Sequence, residues 1–180
     1  LLSRGLGDVY KRQKRDAFRA AWSATFDELE GARRGLVMRD FHSPNILWQS
    51  AETGSARIGL LDFQDAMIGP VAYDLASLAQ DARVDMPLEL EEAVSAAYLE
   101  EAQDIDPAFD AEMHAAQYAI MASQRATKLL GLFVRLHERD GKPQYLRHIP
   151  RIQTYLKRSL MHPANARLKA IYDDWGVTGA

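Results

Sequence analysis

Hydrophobic positions fall at two spacings along the chain, and the change from one to the other marks its organisation. From Lys14 to about Ala32, apolar residues recur at Phe18, Ala21, Trp22, Phe26 and Leu29. That spacing is close to the 3.6-residue helical period, so a helix with one buried face is expected, ended by Gly31 and Gly35. The apolar runs then shorten. Leu36-Val37-Met38, Ile46-Leu47-Trp48 and Arg57-Ile58-Gly59-Leu60-Leu61 read as strands, the last two joined by a polar loop, Gln49 to Ala56, with turn chemistry at Thr53-Gly54-Ser55. A β-hairpin is therefore predicted.

Helical spacing returns after Gly69-Pro70. Helices are expected over 71–79 and 88–102, and from Pro107 to about His137, the last long enough to kink near Ser123 or Gly131. Asp140-Gly141-Lys142-Pro143 breaks the pattern, and further helices follow over 145–160 and 164–175, before a Gly-containing tail expected to fray. The predicted fold class is α+β: one mostly helical unit, without internal repeat or linker, around a small hairpin.

Composition narrows the function classes. With 47% hydrophobic residues in 180, the chain can bury one core. The formal net charge of −3 lacks the basic footprint of a nucleic-acid binder. No cysteine is present, which excludes a disulfide framework and suits a reducing cytoplasm, the expected location. No apolar run approaches the ~20 residues of a membrane helix, so no membrane partner is expected. One segment changes the count. Ser3-Arg4-Gly5-Leu6-Gly7-Asp8-Val9-Tyr10-Lys11-Arg12-Gln13 resembles a one-frame translation of a sequencing-library adapter. Residues 1–13 are therefore set aside as non-native and residues 14–180 taken as the domain, with a native chain expected to be longer at its N-terminus.

The candidate chemistry lies in the strand region. Asp40 precedes Asn45 by five residues in Val37-Met38-Arg39-Asp40-Phe41-His42-Ser43-Pro44-Asn45-Ile46-Leu47, and Asp62 closes the run Ile58-Gly59-Leu60-Leu61. Protein kinases use this order: a catalytic Asp, a metal-binding Asn five residues on, then a strand ending in a metal-binding Asp. Phosphoryl transfer asks a protein for positioning and charge neutralisation, hence one carboxylate for the nucleophilic hydroxyl and hard oxygens for the metal. Each element alone arises often by chance, and an Asp after a strand commonly serves a turn. Joined in order, with apolar flanks and Tyr73-Asp74 following, they point to a kinase.

These blocks, with Gly59-Leu60-Leu61-Asp62-Phe63-Gln64-Asp65-Ala66 and Gly69-Pro70-Val71-Ala72-Tyr73-Asp74-Leu75-Ala76-Ser77-Leu78, resemble the aminoglycoside phosphotransferase family of small-molecule kinases over about residues 15–175. Asp81-Ala82-Arg83, Gln124-Arg125, Gly131-Leu132-Phe133 and Asp140-Gly141-Lys142-Pro143 are most similar to its bacterial branch acting on the anomeric hydroxyl of N-acetylmuramate and N-acetylglucosamine in cell-wall recycling. The resemblance implies ATP and Mg2+ as cofactors, a sugar and a nucleotide as partners, Asp40 as catalytic base and Asn45 and Asp62 as metal ligands. It implies support from Arg39, His42 and Asp74, with Asp74 bonding the catalytic-loop backbone. Asp65, Gln124 and Arg125 are candidate substrate contacts, although a capping role for Asp65 and a solvated helix face for the other two are weighed equally or higher. As an ionised carboxylate, Asp40 would orient the hydroxyl and take its proton late.

Two positions depart from the family pattern. Met38 stands where a His usually precedes the Asp, and Gln64 stands where Gly usually follows Asp-Phe. The second removes a permissive backbone position and suggests a metal loop held in one state. A Gly-rich loop and a Lys-bearing strand are missing before Asp40. The chain is therefore expected to be the C-terminal lobe of a protein-kinase-like fold, the N-terminal lobe absent, and inactive alone. An aminoglycoside or other small-alcohol kinase, and a non-catalytic binding module, are the alternatives.

Overall fold

The computed structural model describes residues 2–177, with side chains from residue 11 onward. The chain runs α1 (Leu2–Asp27), β1 (Arg34–Val37), β2 (Ile46–Trp48), β3 (Ile58–Leu60), β4 (Met67–Pro70), α2 (Ala72–Ala79), α3 (Leu88–Ile105), α4 (Ala111–Glu138), α5 (Ile149–Ser159) and α6 (Ala166–Asp174). Short 3-10 turns occupy Ser43–Asn45, Gly54–Arg57, Pro143–His148 and Pro163–Asn165. The expected mixture of a small sheet region and mostly helix is observed. The anticipated tail fraying at residues 178–180 falls outside the described residues.

Local chemistry explains the boundaries. Asp110 caps α4 by accepting from the Met113 N–H at 2.9 Å, and Arg135 and His137 sit in its last turn, where the helix dipole favours cations. Gly141 then adopts a left-handed φ of +61° and donates its N–H to the His137 carbonyl at 3.2 Å, a glycine stop. The predicted helix over 145–160 begins instead as the 3-10 turn Pro143–His148 before α5, which Pro150 opens in its first turn. Helix α1 reaches back through the adapter-like segment to Leu2 and ends at Asp27, earlier than Ala32.

Two antiparallel pairs make the β structure. β2 pairs β3 with Ile46 opposite Leu60 and Trp48 opposite Ile58, the predicted hairpin. β1 pairs β4, with Arg34 opposite Pro70 and Val37 opposite Met67. The sequence reading did not include β4: a four-residue strand ending in Gly-Pro has no periodicity of its own, and only its distant partner makes it a strand.

Helices α4 and α5 build the main core with α1 and α6, through Trp22, Phe133, Ile152, Leu156, Leu160, Leu168 and Tyr172. Phe18 stacks on Trp175 and meets Tyr172 edge-on, so α1 is locked to α6 by aromatic contacts. Asn165, fully buried, places Nδ2 within reach of the Ala119 carbonyl, the Ser123 hydroxyl and the Ser159 carbonyl at 3.0, 3.1 and 2.8 Å. That one amide ties α4, α5 and the start of α6. A rigid helical base thus underlies the loops.

The β region is different. Leu36, Trp48, Phe63 and Ile68 are 68%, 64%, 60% and 60% exposed. Leu36 and Ile68 face each other across the β1/β4 pair, so that pair at least presents an uncovered apolar patch.

Candidate active site

Asp40 follows a tight reversal. Its N–H donates to the Met38 carbonyl at 2.9 Å while Arg39 holds φ at +70°, a γ-turn of the strained kind. A non-glycine residue there needs support. Asp74, on α2, gives it: Oδ2 accepts from the Met38 N–H at 2.6 Å and Oδ1 from the Arg39 N–H at 3.0 Å. Burial raises the Asp74 carboxyl above the usual range, and these two N–H groups oppose the rise only in part. The Arg39 guanidinium reaches the Asp65 carbonyl at 3.4 Å, joining this turn to the loop after Asp62.

The second half of the loop hangs from Asp81, at the far end of α2. Its Oδ2 accepts from the Ser43 N–H at 3.0 Å and from the Ser43 hydroxyl at 2.6 Å, and its Oδ1 from the Arg83 N–H at 2.8 Å. Burial alone would raise this carboxyl, yet the three donors outweigh it and hold Asp81 below the usual carboxylate range. Two carboxylates of α2 and its C-terminal turn thus grip the loop before and after Asp40. The segment bearing Asp81 is itself anchored to α5, where Arg151 donates to the Ala82 carbonyl at 2.9 Å and the Tyr155 hydroxyl accepts from the Met86 N–H at 3.2 Å.

Asn45 brings the pieces together. Its Nδ2 donates to the Asp40 carbonyl at 2.9 Å and lies 3.4 Å from Asp62 Oδ2. The Leu61 N–H bonds the Asn45 carbonyl at 2.9 Å, so hairpin pairing continues to the site and sets Asp62 beside Asn45. Asp62 is the second non-glycine residue with positive φ, +58°, which Asp tolerates better than most. Gln64 fixes it, donating from Nε2 to Asp62 Oδ1 at 2.5 Å.

The donor set fits a hard divalent ion. With Nδ2 turned to the Asp40 carbonyl and the Asp62 carboxylate, Asn45 keeps Oδ1 as an uncommitted oxygen, and Mg2+ is held by one or two protein oxygens with waters and phosphates completing its shell. Among the described residues no group of three or more His, Cys, Asp or Glu gathers to hold a metal, so an ion here would rest on one carboxylate and one amide oxygen.

Asp40 also lines a cavity of about 250 Å3 whose wall combines the polar His42, Arg83, Arg125 and Lys128 with the apolar Leu132, Phe133 and Tyr145. His42 is buried, and its Nε2 meets Arg83 Nη1; because a guanidinium only donates, Nε2 is the acceptor and the ring proton sits on Nδ1. Arg125, almost wholly buried, donates to the Gln80 carbonyl at 3.3 Å. Burial pulls its guanidinium below the ordinary range, against the attraction of Tyr73, Asp81 and Asp40. Lys128 donates to the Tyr73 hydroxyl at 2.9 Å. Gln124 lines a neighbouring space of about 310 Å3 under β1 and β4, and Asp65 projects to solvent outside both. A larger cavity of about 470 Å3, between α3, α4 and the end of α5, contains none of Asp40, Asn45 or Asp62.

The structure therefore gathers Asp40, Asn45, Asp62, His42, Asp74, Arg39 and Arg125 around one loop, and leaves Asp65 and Gln124 aside. Sequence reasoning missed Asp81 as a positioning group; at Gln64 it expected a metal loop held in one state through the lost glycine, and the side-chain bond to Asp62 is the contact it did not supply. Asp81 immediately follows a helix, where an acid reads as a terminus residue, and its partner Ser43 lies 38 residues away.

A strained loop gripped by two carboxylates, a paired amide and carboxylate for a metal, and an adjoining pocket define a phosphotransferase-type site. The phosphotransferase enzyme family matches residues 2–113, and the chain belongs to that family. It is 38% identical over 155 residues to the N-acetylmuramate/N-acetylglucosamine kinase of Caulobacter vibrioides, covering 86% of this chain and 41% of that protein. Proteins of the same name from Pseudomonas putida and Neisseria meningitidis are 35% and 36% identical over 147 and 148 residues, each covering 78% of this chain and 42% of the relative. The chain spans about two fifths of the length of these curated relatives. None of its described helices is long and apolar enough to cross a membrane.

Proposed function

We propose that this chain is the catalytic-loop and sugar-binding part of a cytoplasmic, ATP- and Mg2+-dependent kinase that phosphorylates the anomeric hydroxyl of an N-acetylated amino sugar. The observation that carries the reading is the Asn45 amide, which spans the Asp40 carbonyl and the Asp62 carboxylate, while Asp40 itself also lines the cavity. A volume near 250 Å3 lies just below the roughly 300–1,000 Å3 of drug-sized sites and suits one sugar ring. The relatives' shared name supplies the sugar class.

A sugar seated there presents its hydroxyl to Asp40. The carboxylate orients the O–H and accepts its proton as the oxygen–phosphorus bond forms and the bond to the leaving nucleotide breaks. An anomeric hydroxyl is more acidic than an ordinary alcohol, which eases that transfer. Asn45 and Asp62 would hold the magnesium, which neutralises charge on the phosphates. Asp74 and Asp81 hold the loop so that Asp40 need not reorganise. The exposed apolar side chains of the β region, Leu36 and Ile68 foremost, are where a nucleotide-holding lobe would rest, so this chain alone is expected to turn over little or no substrate.

The test uses the full-length parent with ATP, Mg2+ and N-acetylmuramate or N-acetylglucosamine, and the product sought is the sugar 1-phosphate. Asp40→Asn should lower kcat by about 10²–10⁴-fold. Phosphorylation of kanamycin or choline in place of amino sugars would replace the substrate reading, and inactivity on a broad alcohol panel would favour a binding module. Undiminished activity of Asp40→Asn would remove Asp40 from the chemistry.

A further inference from the structure

The Asp40 cavity carries more positive charge on its wall than its own carboxylates answer. Arg83, Arg125 and Lys128 all line it, and among the described residues none has a carboxylate oxygen within 4.0 Å of its side-chain nitrogens. The acids nearby answer part of it, since Asp81 and Asp40 both attract Arg125, but neither reaches the Arg83 guanidinium. Asp81 spends both oxygens on Ser43 and the Arg83 backbone, and Asp40 faces the reacting hydroxyl under the proposed reaction. Cations left unpaired around a concave site in a chain of net charge −3 call for an anionic ligand.

The three cations are not equivalent. Arg125 is nearly buried and donates to the Gln80 carbonyl, and the Lys128 ammonium is drawn to the Tyr73 hydroxyl and ring. Arg83 is exposed and fixed at one corner only, by His42, so its guanidinium has further N–H donors in a planar fork that matches a carboxylate. Asn45 and Asp62, the groups that face the phosphates under the proposed reaction, do not line this cavity. Arg83 therefore stands on the sugar's side of Asp40.

We infer that Arg83 reads a carboxylate on the substrate, so that the cavity prefers an amino sugar bearing an acidic side arm, as N-acetylmuramate does through its lactyl ether, over the neutral N-acetylglucosamine. This rests on the sugar-kinase reading above. The apolar wall formed by Leu132, Phe133 and Tyr145 takes the acetamido methyl, and Arg83 takes the acid. The preference is electrostatic in origin and weakens as salt rises.

Calorimetric titration of this chain, without nucleotide, tests it. N-acetylmuramate should bind about tenfold more tightly than N-acetylglucosamine, as a charge-assisted bidentate pair allows. The methyl ester of N-acetylmuramate, equally bulky but neutral, should fall back to the affinity of N-acetylglucosamine. In Arg83→Gln the ratio of the two sugars' affinities should approach one, and Arg83→Lys should restore part of it. Inorganic phosphate should compete with N-acetylmuramate more than with N-acetylglucosamine. Equal binding of both sugars and the ester to the unaltered chain, a ratio that survives Arg83→Gln, or equal competition by phosphate would overturn the role of Arg83 and leave the kinase reading standing. Binding of neither sugar would overturn both.

Discussion

Replacing Asp81 by Asn tests the claim that the catalytic loop is held from outside itself. The carboxylate accepts three hydrogen bonds, two on Oδ2 from Ser43 and one on Oδ1 from the Arg83 N–H. An Asn can point its Oδ1 at Ser43 and keep those two as neutral bonds, but its NH2 then faces the Arg83 N–H, donor against donor. Bonds to a charged group contribute about 1.5–3 kcal/mol each, roughly twice their neutral counterparts, and a buried donor left unpaired costs about 1–3 kcal/mol. Weakening two and losing one predicts a destabilisation of about 2–4 kcal/mol, large against the ~5–15 kcal/mol that holds a domain together.

Urea unfolding at pH 7 reads this directly. At a slope near 2 kcal/mol/M, a loss of about 3 kcal/mol moves the midpoint down by about 1.5 M. The pH dependence carries an independent sign. Asp81 is held below its ordinary value in the folded chain, so its contribution is full above the unfolded value of about 3.9 and is lost as pH falls through the folded value. The gap between the unaltered chain and Asp81→Asn should therefore be widest at neutral pH and close below about pH 4. A loss under ~0.5 kcal/mol, or a gap unchanged in acid, would refute the reasoning, because the loop would then be stable without its anchor.

Asp74 should behave with the opposite sign: its folded carboxyl is raised, so its ionisation costs stability that returns as pH falls through the folded value, and the advantage of the unaltered chain over Asp74→Ala should grow toward acid. That comparison fails if the two unfolding curves stay parallel from pH 7 to pH 4. Added Mn2+ should broaden the NMR signals of Asn45, Asp62 and Gln64 first, and Asp62→Ala should abolish the effect; equal broadening around His114, in the larger cavity, would remove Asn45 and Asp62 as the ion's ligands.

What the sequence disclosed follows the range of each interaction. The hairpin was readable because β2 and β3 are apolar runs joined by a local turn, and it sets Asp62 beside Asn45. The helices of the base were readable from period alone, within a few residues at their ends, except α1, which runs from Leu2 to Asp27 where Lys14 to about Ala32 was expected. β4 was not, since Met67–Pro70 becomes a strand only against Arg34–Val37. The grip of Asp81 on Ser43 spans 38 residues, that of Asp74 on Met38 spans 36, and neither leaves a local pattern. Resemblance supplied the Asp74 contact in advance, whereas nothing did so for Asp81.

The division has a physical reason. Groups that would touch sugar, metal or phosphate sit in short contiguous motifs because one loop must present them together, within a few ångströms. Groups that hold that loop need only a rigid base beneath it, and any element of the base can supply them. Here α2 supplies Asp74 and the segment just after it supplies Asp81, and α5 fixes that segment through Arg151 and Tyr155. A strained turn at Arg39 persists only where its surroundings over-determine it. It follows that substitutions on α5 that never approach the substrate should still loosen Asp40, with Arg151 the first to matter because it alone joins the Ala82 carbonyl to α5 through a charged donor.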